Sequence, residues 1–156
     1  YESTNDLPDF LDYSMENRTY RYFRGVPQYA FGYGLSYTTF EVGKGKISKK
    51  SIDADGSVTI TVPVTNTGDR EGTETIQVYV KALDYDEASI KDLKGFQKIN
   101  LKPGETGKVE IELTGESFMY YDPSIDELST KAGRYQILYG TSSLEKDLQS
   151  FDFVVK

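Results

Sequence analysis

Ser57-Val-Thr-Ile-Thr-Val-Pro-Val-Thr-Asn66 decides how the chain is read. Val58, Ile60, Val62 and Val64 fall on one side of an extended backbone, and Thr59, Thr61 and Thr65 fall on the other. Side chains alternate across a strand, so this period of two marks a strand with one face in a core and one in water. Pro63 cannot donate to a ladder, which predicts an edge, a bulge or an outward-facing gap at that position. The same alternation recurs on the C-terminal side. Thr73–Ala82 presents Ile76, Val78 and Val80 against Gln77 and Tyr79. Lys108–Leu113 presents Val109, Ile111 and Leu113 against Glu110 and Glu112. Arg134–Gly140 sets Tyr135, Ile137 and Tyr139 against Gln136 and Leu138, and Ser150–Lys156 supplies Phe151, Phe153 and Val155.

Weaker alternation at Thr38–Ile47 and Leu93–Leu101 brings the expected strands to seven. The clusters Asp53-Ala-Asp-Gly56, Asn66-Thr-Gly-Asp69 and Lys102-Pro-Gly-Glu105 separate them with residues that tolerate positive φ or preset it. Leu83–Ile90 and Asp122–Lys131 read as acidic surface loops. Short strands, regular turns and no sustained helical period predict an all-β fold: a seven-stranded antiparallel immunoglobulin-like (fibronectin type III-like) β-sandwich over residues 37–156.

Residues 1–36 read differently. Of the chain's 21 aromatic residues, 11 lie in the first 40 positions, yet Gly25, Pro27, Gly32 and Gly34 break any long element. Charge is blocked as well, with Glu2, Asp6, Asp9, Asp12 and Glu16 before Arg18, Arg21 and Arg24. Disordered tails are poor in aromatics, so this irregular strap must bury its rings. Two destinations are open: its own domain, or a neighbour outside the sequence.

Composition narrows the chemistry. Histidine, cysteine and tryptophan are absent from the 156 residues, which removes Ser-His-Asp and Cys-His nucleophiles, His- or Cys-ligated zinc and disulfides. A net charge of −7 argues against a nucleic-acid backbone as partner, and no apolar run is long enough to cross a membrane as a helix. The chain opens at Tyr1 with no signal-like stretch behind it, and it reads as a piece of a longer protein.

A two-carboxylate glycosidase site would draw on Asp84, Asp86 and Glu87 in one loop and Asp122, Asp126 and Glu127 in the other. Such a pair needs a cleft that raises one pKa by burial, and acidic loops on an acidic protein are ordinarily solvated. Ser51–Gly56 has the spacing of half a calcium loop, but its twelfth position is Val62, so a β-turn accounts for it better. Asp84, Asp86 and Glu87 are the remaining calcium candidates. Asn17-Arg-Thr19 matches a glycosylation sequon. No catalytic residue, cofactor or metal ligand is assigned to this chain.

Phe31-Gly-Tyr-Gly-Leu-Ser-Tyr-Thr-Thr-Phe40 closely resembles the segment that introduces the C-terminal fibronectin type III-like domain of family 3 glycoside hydrolases. Asn17-Arg-Thr-Tyr-Arg-Tyr-Phe23 resembles the linker before it, and Val64-Thr-Asn-Thr-Gly-Asp69 the family's turn. Gly72–Val80, Leu93–Phe96, Leu101–Glu105, Phe118–Asp122 and Gly133–Gly140 follow in the family's order.

The resemblance implies a parent that is a retaining β-glycosidase of β-glucosidase or β-xylosidase type, acting in carbohydrate degradation, with its catalytic carboxylates on other domains. Residues 1–36 would then be the interdomain linker. Arg18, Tyr20, Arg21, Tyr22, Phe23, Tyr29, Phe31, Tyr33 and Tyr37 would make the interdomain contact, and the catalytic domains of the same chain would be the partners. The function implied is a noncatalytic buttress, periplasmic or secreted as is usual in the family. Two alternatives stand beside it. One is a carbohydrate-binding module that stacks tyrosines on sugar rings; the other is an adhesion or scaffold domain, which further upstream β repeats would reveal.

Overall fold

The structure, a computed structural model, describes residues 3–85, 88–122 and 124–156. Among them are eleven strands: β1 (Phe40–Val42), β2 (Lys46–Ile47), β3 (Ser51–Ile52), β4 (Ser57–Asn66), β5 (Gly72–Ala82), β6 (Asp92–Leu101), β7 (Thr106–Thr114), β8 (Met119–Asp122), β9 (Glu127–Thr130), β10 (Gly133–Gly140) and β11 (Leu148–Val155). All seven expected strands are present. The first divides into β1 and β2, and β3, β8 and β9 are additional.

One sheet has β4 at its centre, with β7 along one edge and the short β1 and β2 sharing the other. The second runs β3-β11-β10-β5-β6. Every pairing is antiparallel except β3 with β11, so the sandwich carries one parallel edge that the expected antiparallel pattern lacks. Val58, Ile60, Val62 and Val64 of β4 are buried, and so are Ile76, Val78 and Val80 of β5 and Tyr135, Ile137 and Tyr139 of β10. Phe118 closes one end of the core between Tyr135 and Phe153, with ring centroids 5.1 and 5.3 Å away.

Pro63 lies inside β4, at the break between β1 and β2. Gly43 N donates to the Pro63 carbonyl at 2.9 Å, and the bond that a non-proline residue would return is missing. Gln149 Nε2 reaches the Gly43 carbonyl instead, at 3.3 Å, and that of Val42 at 3.1 Å. The Gln149 carbonyl in turn accepts from Tyr139, whose hydroxyl accepts from Gly45 N at 2.7 Å. The two sheets are thereby tied across the proline.

The segment Asp122–Lys131 is not a plain loop, as expected, but the closing half of a hairpin, β8 with β9, forming a small sheet of its own. Its strands are four residues long and its outer face is wet, which leaves too little alternation to read in the sequence. The turn chemistry is local: Asp122 accepts from Ser124 N and Oγ, and Asp126 takes φ +55. Asp53–Gly56 is the β-turn expected, with Gly56 N donating to the Asp53 carbonyl at 2.9 Å.

Candidate interdomain interface

Gln77, Tyr79 and Leu138 point away from the core in a period-two reading, yet all three are buried. The strap covers Gln77 and Tyr79. Its α-helical turn, α1 (Thr19–Tyr22), is entered through Asn17 and Thr19 in the left-handed region at φ +54, an uncommon conformation for a β-branched residue. Tyr20 stacks on Phe31 at 4.2 Å between centroids and meets Tyr79 edge-on at 6.0 Å. The Tyr20 hydroxyl accepts from Leu93 N at 3.0 Å. The Arg21 guanidinium bonds the buried Asp92 carboxylate, and the Arg21 carbonyl accepts from Ile90 N at 2.6 Å. This pairing raises the Arg21 pKa.

Further along, Ser143 N donates to the Phe31 carbonyl at 2.8 Å, and Gln77 Nε2 donates to the Gly32 carbonyl at 3.2 Å. Gly32 has φ +79, and a Cβ there would lie 2.1 Å from Gln77 Oε1, so both backbone conformation and close approach call for glycine. Thr38 then sinks into the sandwich, where its hydroxyl donates to Asn66 Oδ1 at 2.8 Å.

The nine expected contact residues therefore separate. Tyr20, Tyr22 and Phe23 are half-buried against the strap's own domain, while Phe31 keeps nearly half its surface in water. Arg21 has an intradomain partner in Asp92, and Arg18 pairs with Asp12 inside the strap. Tyr29, Tyr33 and Tyr37 are exposed, Tyr37 at 93%. Phe10 at 91% and Tyr13 at 85% join them, and the sequence reading had not placed either among the contacts. Eleven of the seventeen exposed large hydrophobic side chains among the described residues fall between Leu7 and Tyr37.

The acidic loops are occupied by structural pairs. Asp84 takes Arg134 Nε and Nη2 at 2.9 and 2.6 Å and Arg134 N at 2.7 Å, which holds its carboxyl below the usual range. Asp122 is bonded by Lys131 and by Ser124, which lowers its pKa from 3.8 to about 2. A glycosidase's acid needs the opposite shift. Asp126 accepts from Tyr121 and Glu127 is exposed; Asp86 and Glu87 lie outside the described residues. Among the described residues, no three acidic side chains gather as a metal site would require. Because the folded pKa of Asp122 is depressed, its contribution is complete above pH about 4 and is lost as pH falls toward about 2. Asp122→Asn is expected to flatten the acid limb of the stability curve over that window, measured by urea midpoints at stepped pH.

With the geometry in place, comparison with known proteins assigns the class. Residues 74–143 match the family model described as fibronectin type III-like domain. The xylan 1,4-beta-xylosidase of Xylanibacter ruminicola is 47% identical over 150 residues, covering 96% of this chain and 17% of that protein. The periplasmic beta-glucosidase of Salmonella typhimurium is 38% identical over 139 residues, covering 87% of this chain and 18% of its own. Among solved structures, a beta-glucosidase involved in saponin metabolism from intestinal bacteria superposes with a TM-score of 0.80 at 31% identity, over 88% of this chain and 20% of that one. The chain thus spans about a fifth of the length of its relatives. It belongs with the fibronectin type III-like domains of family 3 β-xylosidases and β-glucosidases. No helix among the described residues is long and apolar enough to cross a membrane.

Proposed function

We propose that this chain is the noncatalytic C-terminal domain of a retaining family 3 β-glycosidase, and that it buttresses the catalytic domains of its parent outside the cytoplasm. One observation carries the reading: the strap is anchored by its middle and apolar along its exposed length. Tyr20, Phe31 and Thr38 hold it to the sandwich, while Phe10, Tyr13, Tyr29 and Tyr37 face outward. Exposed apolar side chains so concentrated mark an interaction surface. The segment that would enter from the neighbouring domain is the one that carries them. The carboxylates tied up in Asp84–Arg134 and Asp122–Lys131 support a structural role for the sandwich itself.

Deleting the domain from the full-length enzyme is expected to lower the thermal midpoint by at least about 5 °C and to change KM. A second variant guards against simple misfolding. Tyr29→Ser with Tyr37→Ser removes two exposed rings that the isolated domain does not need, and it should destabilise the full-length enzyme while leaving this domain's own midpoint unchanged. Unaltered midpoints and kinetics in both variants would sink the proposal.

A further inference from the structure

Beside the strap, α1, the start of β6 and the β8–β9 hairpin enclose a cleft of about 650 Å³. That lies inside the range of small-molecule sites, about 300–1,000 Å³. Tyr121 and Leu128 are cross-strand partners on the hairpin, 57% and 63% exposed, and both line the cleft. Across from them the polar lining is made of ion-paired groups. Asp92 is shared between Arg21 and Lys94, with Lys94 Nζ at 3.9 Å, and Lys131 is paired with Asp122. Lys94 also sits 5.9 Å from the centroid of the Tyr120 ring, and burial pushes its pKa down. Ser89, 6% exposed, and Tyr120 also line the cleft.

The chemistry selects the kind of molecule. Ammonium and guanidinium N–H groups beside carboxylates offer donors and acceptors together, as neighbouring sugar hydroxyls require. An exposed tyrosine ring supplies a flat apolar face for the C–H side of a pyranose.

We infer that this cleft is a carbohydrate subsite, taking one or two units of a β-linked oligosaccharide, with Tyr121 as the stacking face and Arg21, Asp92 and Lys94 as the hydrogen-bonding set. The β linkage rests on the glycosidase reading above; the saccharide class rests on the cleft. The test uses the 156-residue chain, whose sandwich has its own core. Titrating the ¹⁵N-labelled chain with xylotetraose and with cellotetraose is expected to shift amides around Lys94, Tyr120 and Leu128 for at least one of them, with Kd about 1 mM. Tyr121→Ala, at an exposed position, should weaken that binding about fivefold without moving the urea midpoint. Lys94→Met should weaken it as well. No shifts at up to about twenty times that Kd, shifts elsewhere on the surface, or shifts indifferent to both substitutions would each overturn the inference. So would a full-length structure with a segment of the neighbouring domain filling the cleft. Failure here leaves the buttress reading intact, because that reading is judged by the full-length enzyme's stability.

Discussion

Asn66→Ala is expected to lower the unfolding free energy of the domain by about 3 kcal/mol, read from urea denaturation. Asn66 is fully buried at the end of β4 and uses both ends of its amide. Its Oδ1 accepts from the Thr38 hydroxyl at 2.8 Å and from Gly68 N at 3.1 Å. Its Nδ2 donates to the carbonyls of Arg70 and Leu101 at 2.7 and 2.9 Å. Four groups from three parts of the chain are satisfied by one side chain, and alanine strands all of them. An unsatisfied buried group costs roughly 1–3 kcal/mol, and partial rehydration keeps the sum well below four full penalties. Thr38→Val separates the contributions, since it removes one donor and keeps the shape; a loss of about 1 kcal/mol is expected. If Asn66→Ala proves as mild as Thr38→Val, the amide is not the hub that its geometry indicates.

Tyr20→Ala is expected to free the strap from the sandwich at a cost of about 2–3 kcal/mol, local rather than global. The substitution removes the stack on Phe31, the edge contact with Tyr79 and the acceptor for Leu93 N together. Amide exchange should quicken at Leu93 and at Ser143, whose partner is the Phe31 carbonyl, while β4 and β10 keep their protection. Tyr20→Phe keeps the ring and loses one hydrogen bond, so about 1 kcal/mol should go and the strap should stay docked. Unchanged exchange at Ser143 in Tyr20→Ala would show that Arg21–Asp92 and Gln77–Gly32 hold the strap without the ring. In the full-length enzyme the same substitution tests whether a loosened strap weakens the grip on the neighbouring domain.

The sandwich was legible because its strands are long and carry a core residue at every second position. Val58 to Val64, Val109 to Leu113 and Tyr135 to Tyr139 need nothing beyond their own spacing to be placed. The hairpin of Met119–Asp122 with Glu127–Thr130 was not legible, because four-residue strands hold at most two residues on a face. The burial of Gln77, Tyr79 and Leu138 escaped for another reason. What covers Gln77 and Tyr79 is an irregular segment about 45 to 60 residues earlier in the chain, and no local pattern encodes such a lid. Aromatic density in residues 1–36 announced that rings would be buried without saying where. The structure divides the answer between the strap's own sheet and the outside. Gly32 was visible as a break, and its reason, the amide of Gln77 against its backbone, is purely tertiary.

Pro63 and the glycines opposite it bear on a hazard that every open sheet carries. A long free rim of unpaired amides is a template for a strand from another molecule, and the end point is fibrils or precipitate. Here the chain beside β4 is cut at Gly43–Gly45 into stretches of three and two residues, and β3 caps the far rim of the second sheet with two more. None offers a second copy enough continuous backbone to zip against. Longer rims remain along β6 and β7; on β7 Lys108, Glu110 and Glu112 place charge outward, and on β6 Gln97, Lys98 and Asn100 are exposed. The cross-sheet tie through Gln149 and Tyr139 keeps the proline gap shut, so the domain guards itself against self-association with the same residues that brace its interior.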